Sequence, residues 1–253
     1  MFHRFVAIGD SFTEGVGDPD PERPNGLRGW ADRVAEVLAT KTDDFGYANL
    51  AIRGRKLDAI ADEQLEPALA LKPDLLSIQG AGNDLLRPSV DIDRIVGRIG
   101  EAADRGVEQG ATVVLYTHGD GGSTGVFGAI RGRVAIFNEL LREVAERPGV
   151  VLVDNWRLRG GSDARYWDAD RLHLGPPGHQ HVAIHVLDTL GVEHSLVPLE
   201  LPELVQKTAK QRRQENLDWA RRHAAPWVGR RLTGRSSGDG VEPKRPQLAP
   251  IRP

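Results

Sequence analysis

Residues 4–15 read RFVAIGDSFTEG, so four consecutive apolar residues, Phe5–Ile8, run directly into a glycine and a polar turn. Apolar residues at successive rather than alternate positions are typical of a strand that is buried on both faces of a sheet. We therefore predict a first strand over Arg4–Gly9. Ser11 then lies just beyond the carboxyl end of this strand, at the edge where ligands bind in open α/β sheets.

Four further apolar runs have the same character and alternate with longer amphipathic segments. These runs are Tyr47–Ile52, Asp74–Gln79, Ala111–Thr117 and Val150–Asp154. Parallel neighbours in a sheet need crossover connections, which the intervening helices supply. The predicted fold class is therefore α/β, a three-layer α/β/α sandwich with a five-stranded parallel sheet.

The amphipathic segments carry apolar residues at helical spacing. The stripes are Trp30, Val34, Val37 and Leu38; Ile92, Ile95, Val96 and Ile99; and Ile130, Val134, Phe137, Leu140, Leu141 and Val144. A last helix is predicted over Gly178–Leu190, because Pro176 and Pro177 precede it and Gly191 follows it.

The composition is that of an ordinary globular protein: 40% of the 253 residues are hydrophobic, 27% are charged and the net charge is −3. This charge gives no reason to expect a nucleic-acid partner. Cysteine is absent, which excludes disulfides, thiolate metal sites and a cysteine nucleophile. The apolar stretch Phe5–Ile8 is too short for a signal peptide, and no apolar run has the length of a membrane span. We expect a cytoplasmic protein without a membrane span; the sequence leaves its oligomeric state open.

The character of the chain changes after about Val197. We predict a folded domain over residues 1–197, a basic and partly helical extension over residues 198–235, and a proline-rich irregular tail over residues 236–253. The basic residues of the extension are Lys207, Lys210, Arg212, Arg213, Arg221, Arg222, Arg230, Arg231 and Arg235. Two interpretations of this extension stay open. It either packs on the core through Leu217, Trp219 and Trp227, or forms a docking surface for an anionic partner or another subunit.

The turn Gly9-Asp10-Ser11 has two interpretations of its own. Ser11 is either a nucleophile held at the edge of the sheet or a serine that caps the following helix. A serine hydroxyl is weakly nucleophilic until a neighbouring base takes its proton. The nucleophile interpretation therefore requires a base elsewhere in the chain.

The segment Asp170-Arg171-Leu172-His173 supplies that base. An aspartate three residues before a histidine can fold back and accept a hydrogen bond from one imidazole nitrogen. The other nitrogen is then free to deprotonate a serine. Ser11, His173 and Asp170 are accordingly our predicted catalytic residues.

Four blocks in order resemble the GDSL lipase/esterase superfamily, also called SGNH hydrolases, over roughly residues 4–190. They are Gly9-Asp10-Ser11, Asn49 to Gly54, Gly82 to Leu86, and Asp170 to His173. The resemblance implies an oxyanion hole built from Ser11, Gly54 and Asn83. It also implies a flavodoxin-like strand order and no metal or organic cofactor.

One position departs from the family pattern. The family usually has glycine two residues before the asparagine of the third block, and this chain has Ala81 there. We expect the flanking Gly80 and Gly82 to absorb the backbone strain. Asp10 and Asp84, which adjoin the proposed catalytic residues, are expected to hold turns through backbone hydrogen bonds.

Three histidines, His179, His181 and His185, lie within the twelve residues after the catalytic one. His181 and His185 share a helix face, which raises the possibility of a metal site, but no third ligand is evident for them. We therefore interpret His179, His181 and His185 as surface residues, and we predict no metal.

The predicted function is hydrolysis of a small-molecule carboxylic ester through an acyl-enzyme, with short acyl or O-acetyl groups favoured. Two alternatives stay open. One is an acyltransferase that uses the same triad, and the other is a non-catalytic binding protein on this fold. The natural ester and the acyl chain length do not follow from the sequence.

Overall fold

The central sheet contains six strands within the residues that the computed structural model describes, 1–123, 125–158, 161 and 163–251. The strands are β1 (Arg4–Ile8), β2 (Gly46–Asn49), β3 (Leu75–Ile78), β4 (Thr112–Tyr116), β5 (Val150–Val153) and β6 (Arg245–Ala249). Their order is β5-β4-β3-β1-β2-β6. The first five are parallel, and β6 is antiparallel to β2. The five predicted strands and their flavodoxin-like order are therefore confirmed.

The sixth strand was not expected. The prediction of an irregular tail over residues 236–253 is wrong at β6, where Tyr47 pairs with Ala249 and Asn49 with Arg245; residues 252 and 253 lie outside the described residues. Pro246 lacks an N–H group, but an edge strand needs hydrogen bonds on one side only, so proline is tolerated there. The tail contains few large apolar residues. It still forms a strand because β2 supplies its backbone hydrogen-bond partners.

The helices cover both faces of the sheet. They are α1 (Ser11–Glu14), α2 (Gly29–Ala39), α3 (Leu57–Ala59), α4 (Leu65–Ala70), α5 (Gly82–Leu85), α6 (Ile92–Glu108), α7 (Gly125–Ala145), α8 (Pro176–Thr189), α9 (Ala209–Trp219) and α10 (Ala225–Leu232). Short 3₁₀ turns occur at Pro24–Gly26 and Ala164–Tyr166, and π-helical turns at Ile60–Gln64 and Ala220–Ala224 join α3 to α4 and α9 to α10.

Two apolar cores, one on each face of the sheet, make the fold a three-layer α/β/α sandwich, as predicted. One core contains Trp30 and Val34 of α2 with Val186 of α8. The other contains Ile95 of α6 and Phe137 of α7. The predicted helical stripes therefore bury their apolar faces against the sheet, which fixes each strand end relative to the helix that follows it.

Strand β1 lies between β3 and β2, so the chain leaves β1 towards one side of the sheet and later continues from β3 towards the other. Such a reversal of strand order opens a crevice at the carboxyl ends of the strands. Ser11 follows β1 and the turn before α5 follows β3. The topology therefore brings the first and third sequence blocks to the same crevice.

The basic extension contains α9 and α10, and the tail that follows is anchored in the core domain. Lys244 Nζ lies 2.8 Å from Asp32 Oδ1, and both side chains are fully buried. The ammonium also donates to the carbonyl oxygen of Arg28 at 2.6 Å. Leu217, one of the residues through which the extension was expected to pack on the core, is 45% exposed. Within the described ranges, no helix is long and apolar enough to cross a membrane.

Candidate active site

Ser11 is the first residue of α1, directly after the turn that follows β1. The helix is capped by Asp10, whose Oδ1 accepts a hydrogen bond from the backbone N–H of Phe12 at 3.1 Å. The cap is therefore the residue before Ser11, and the serine hydroxyl is left for other partners. Gly9 has no room for a side chain, because a Cβ there would lie 2.6 Å from the carbonyl oxygen of Gln79.

The imidazole of His173 lies between Ser11 and Asp170. Its Nε2 is 3.0 Å from Ser11 Oγ, and its Nδ1 is 2.5 Å from Asp170 Oδ2. An ionised carboxylate only accepts hydrogen bonds, so Nδ1 carries the ring proton and donates a hydrogen bond to Asp170. In the neutral ring, Nε2 then presents its lone pair to the Ser11 hydroxyl. The structure brings the three predicted catalytic side chains into one chain of hydrogen bonds.

Asp170 is held by its own turn. Its Oδ1 accepts the backbone N–H groups of Leu172 and His173, each at 2.9 Å. Burial raises the pKa of this carboxyl, but the hydrogen bond and charge of His173 and the two backbone N–H groups outweigh burial and lower the pKa to about 2. Asp170 is therefore ionised at any pH near neutrality. Arg171 completes the turn with a left-handed φ of +59°.

Asn83, the predicted oxyanion-hole asparagine, lies in α5 and borders the same cavity as Ser11 and His173. Its Nδ2 donates to the carbonyl oxygen of Arg55 at 2.9 Å. The same nitrogen is 3.5 Å from Asp10 Oδ2, which is too long for a strong hydrogen bond. Because a side-chain amide has two N–H groups, one remains to donate to a ligand.

Gly54, the third predicted donor, faces the C-terminal tail and does not line this cavity. A Cβ at position 54 would lie 2.8 Å from Ser237 Oγ. The backbone of Gly54 has a φ of +76°, a left-handed conformation that favours glycine. The structure thus places Ser11 and Asn83 at one cavity and Gly54 beside residues 236 and 237.

Buried side chains that the sequence analysis did not single out tie the site turns together. The carboxylate of Glu14, which is fully buried, accepts the backbone N–H of Arg53 at 2.7 Å and the Arg53 guanidinium. Asn49 Nδ2 donates to the carbonyl oxygen of Thr13 at 2.8 Å. These contacts fix the turn before Gly54 relative to α1. The sequence offered two signals for these contacts: a glutamate five residues after Gly9 and an arginine directly before Gly54.

The two aspartates beside the site hold backbone groups, as expected. Asp10 caps α1, and Asp84 Oδ2 accepts the backbone N–H of Leu57 at 3.0 Å. Burial raises the pKa of Asp84. It also raises the pKa of Asp10, to about 6, against the lowering effects of the Phe12 N–H group and the charge of His173.

We expect Asp10→Asn to be more stable than the wild type at pH 8 and equally stable at pH 4. The folded protein binds a proton at Asp10 more tightly than the unfolded chain, so wild-type stability falls as pH rises from 3.8 towards 6. At about 1.4 kcal/mol per pKa unit, the buried charge costs about 3 kcal/mol above this range. Asparagine keeps the helix cap without the charge. Urea unfolding at the two pH values measures the difference; an equal difference at both would contradict the prediction.

A cavity of about 220 Å³ opens beside Ser11 and His173. Its polar lining includes Asn83, His118 and Asn155. Most of the remaining wall is aliphatic or aromatic, including Leu86, Phe127, Ile130, Val134, Trp167 and Val182. Trp167 is held in this wall because its Nε1 donates to the carbonyl oxygen of Gly161 at 2.9 Å. The site therefore combines the Ser11 hydroxyl with an apolar space large enough for part of a substrate.

The model of the GDSL-like lipase/acylhydrolase family matches residues 7–181. The chain belongs to this family. It is a carboxylic ester hydrolase of the GDSL/SGNH type. A search of curated protein sequences found no match.

Solved structures share the GDSL/SGNH fold. LAE5, an alpha/beta hydrolase enzyme from the metagenome of Lake Arreo, Spain, has a TM-score of 0.63 and 23% identity, covering 76% of this chain and 97% of its own. Axe2, an acetylxylan esterase from Geobacillus stearothermophilus, has a TM-score of 0.61 and 21% identity, covering 76% and 95%. TesA has a TM-score of 0.62 and 23% identity, covering 74% and 98%.

Ala81, the position where this GDSL-family chain lacks the usual glycine, takes up the backbone strain itself. Its φ is +74°, and its side chain is fully buried. Gly80 and Gly82 are not in the left-handed region, so the expectation that they absorb the strain is wrong. A left-handed conformation costs a residue with a Cβ about 1–2 kcal/mol. The turn before Asn83 is kept in spite of this cost.

Two histidines of the GDSL-type domain, His118 and His179, hold backbone groups through their ring nitrogens. His179 is fully buried, so its interpretation as a surface residue is wrong. Its Nε2 donates to the carbonyl oxygen of Val16 at 3.2 Å, its Nδ1 accepts the N–H of Trp30, and burial lowers its pKa to about 4. His118 likewise donates from Nε2 to the carbonyl oxygen of Gly80 at 3.0 Å, and burial lowers its pKa to about 4. Both rings are neutral near pH 7.

Proposed function

We propose that this hydrolase cleaves carboxylic esters through an acyl-enzyme formed on Ser11. The observation that carries the proposal is the hydrogen-bond chain from Ser11 Oγ through His173 to Asp170, with lengths of 3.0 and 2.5 Å. His173 Nε2 takes the Ser11 proton as Oγ attacks the ester carbonyl. The imidazolium then protonates the leaving alcohol, and the freed ring activates a water molecule that hydrolyses the acyl-enzyme.

Asp170 and the oxyanion donors have separate roles in this proposal. Asp170 keeps the Nδ1 proton in place and stabilises the imidazolium that forms. The backbone N–H of Ser11 and the second N–H of the Asn83 amide donate to the developing oxyanion. Such a donor typically contributes about 3–4 kcal/mol to the transition state. The backbone N–H of Gly54 is the third proposed donor, although Gly54 faces residues 236 and 237 and does not line the cavity beside Ser11.

The acyl group is proposed to occupy the apolar cavity. An apolar cavity of about 150 Å³ holds benzene, which has about six carbon atoms. The cavity beside Ser11, at about 220 Å³, has a volume about half as large again. It therefore has space for an acyl chain of roughly eight carbons. A preference for short acyl or O-acetyl groups stays a prediction. Rates of hydrolysis on esters of increasing acyl chain length would test this preference.

We expect Val134→Phe to lower kcat/KM for p-nitrophenyl octanoate at least about tenfold while changing that for the acetate less than about twofold. Val134 is buried in the cavity wall on α7, so the larger ring fills space that a long acyl chain needs, and one buried methylene is worth about 0.8 kcal/mol. Initial rates on the p-nitrophenyl series from acetate to octanoate measure the effect.

Ile136→Phe is the matched control. Ile136 lies on the same helix but is 55% exposed, so the same increase in size leaves the cavity unchanged. The rates of Ile136→Phe on acetate and on octanoate should then match those of the wild type. Equal losses on acetate and octanoate in Val134→Phe would show that the acyl chain does not occupy this cavity.

A further inference from the structure

Helix α9 of the basic extension contacts the turn that carries the proposed acid–base pair. Trp219 Nε1 donates to the carbonyl oxygen of Asp170 at 2.8 Å. The guanidinium of Arg171 lies over the Trp219 ring, 5.1 Å from its centroid. Arg171 Nη1 also donates to Asn216 Oδ1 at 2.8 Å. Two consecutive residues of the turn are therefore held from outside the domain that contains them.

The turn needs such support for two reasons. Arg171 is in the left-handed region, which costs a residue with a side chain about 1–2 kcal/mol. Both carboxylate oxygens of Asp170 are already engaged, Oδ1 with backbone N–H groups and Oδ2 with His173. Rotation of the peptide between Asp170 and Arg171 would disturb all of these contacts. The Trp219 indole binds the carbonyl oxygen of that same peptide.

The extension can hold the turn because it is fixed before and after α9. Before the helix, Gln180 Nε2 of α8 donates to the carbonyl oxygen of Val197 at 2.8 Å. After α10, Ser237 lies against Gly54, and the buried pair of Lys244 and Asp32 fastens the tail. The tail then pairs with β2 through β6. Helix α9 is thus part of a segment that is attached to the domain at both of its ends.

We infer that Trp219 is a positioning residue for ester hydrolysis: its indole N–H fixes the Asp170 peptide, so that Asp170 holds His173 in line with Ser11 Oγ. The basic extension then contributes to the reaction itself. This role differs from both earlier interpretations, in which the extension only packs on the core or binds a partner. The inference rests on the roles proposed for Ser11, His173 and Asp170.

Trp219→Phe tests this role, because phenylalanine keeps a ring for Arg171 to contact and removes only the N–H donor. We expect kcat for a p-nitrophenyl ester to fall about fivefold to tenfold, the effect of one hydrogen bond, with KM within about twofold of the wild type. The proton NMR signal of the His173 Nδ1–H group should broaden or shift, since its partner carboxylate is less fixed. A contact that only stabilises the extension would change neither kcat nor this signal.

Two more variants complete the experiment. Leu217→Ala, on the same helix and with an exposed side chain, is the control and should keep the wild-type kcat and NMR signal. Asn216→Ala removes the other partner of Arg171 at an exposed position, and should lower kcat about twofold to threefold. It provides the test if Trp219→Phe does not fold, which circular dichroism and urea unfolding show.

The outcomes separate this inference from the proposed function. If Ser11→Ala is inactive, while folded Trp219→Phe and Asn216→Ala have the wild-type kcat and NMR signal, the positioning role is wrong and the proposed function stands. If Ser11→Ala keeps full activity, the proposed function itself is wrong. A fall in kcat without a change in KM, together with the altered NMR signal and an unaffected Leu217→Ala, supports the inference.

Discussion

Ser11→Ala is expected to lower kcat for p-nitrophenyl esters by about 10⁴-fold to 10⁶-fold, since removal of a triad nucleophile has effects of this size. The proposed mechanism has no other residue that forms the acyl-enzyme. His173 would still have Asp170 as a partner, so the fold and the cavity should be preserved. Steady-state rates, with KM measured where turnover remains, test the prediction.

The nucleophile can also be identified directly. A fluorophosphonate, which reacts with activated serines, should add one phosphonyl group to the wild type, and peptide mass spectrometry should place it on Ser11. Ser89→Ala is the matched control, because Ser89 is an exposed serine outside the cavity; it should react and turn over like the wild type. Turnover by Ser11→Ala at the wild-type rate would exclude the acyl-enzyme proposed here.

Asp170→Asn is expected to lower kcat about 10⁴-fold near neutral pH, the size of effect seen when the triad aspartate is replaced by its amide. The amide can donate an N–H to His173 Nδ1, which favours the tautomer with the proton on Nε2. That tautomer cannot accept the Ser11 proton. Because the pKa of Asp170 is about 2, the wild-type carboxylate should stay ionised throughout the pH range of the assay. The rates of the two proteins at pH 7 and pH 8 measure the loss.

Asp168→Asn is the control for a change of charge in the same loop. The carboxylate of Asp168 makes a 3.5 Å contact with the backbone N–H of Asp170, which is weak. We expect its kcat within about tenfold of the wild type. Equal losses in Asp168→Asn and Asp170→Asn would mean that the loss reports the charge of the loop, and not the hydrogen bond to His173.

The sheet could be predicted because the inner parallel strands β1, β3 and β4 are buried on both faces and so appear as continuous apolar runs. Phe5–Ile8 is one such run, and β1 occupies it with one residue more at its start. The apolar stripes of α6 and α7 could be predicted because burial of one helix face places apolar residues at a helical spacing along the sequence. The family could also be predicted, because four short blocks in a fixed order are specific together, and the match over residues 7–181 confirms it.

Features that depend on contacts between distant segments could not be predicted. β6 has no apolar run and contains Pro246, and it is a strand only because β2 offers an unpaired edge. The contact between Trp219 and Asp170 joins residues 49 positions apart, and nothing local in α9 indicates it. His179 was wrongly placed at the surface because an imidazole with two backbone partners can be buried neutral. The roles of Ser11, Gly54, Asn83, Asp170 and His173 stay predictions, and the variants above test those of Ser11 and Asp170 directly.

The antiparallel pairing of β6 with β2 also bears on self-association. Without β6, the N–H and C=O groups along the free side of β2 would be open to pairing with any other chain, a common route to aggregation. β6 covers this side with a short strand that carries Arg245 and Pro246, two residue types that discourage further strand addition. β6 therefore protects this edge of the sheet against the addition of a strand from another molecule.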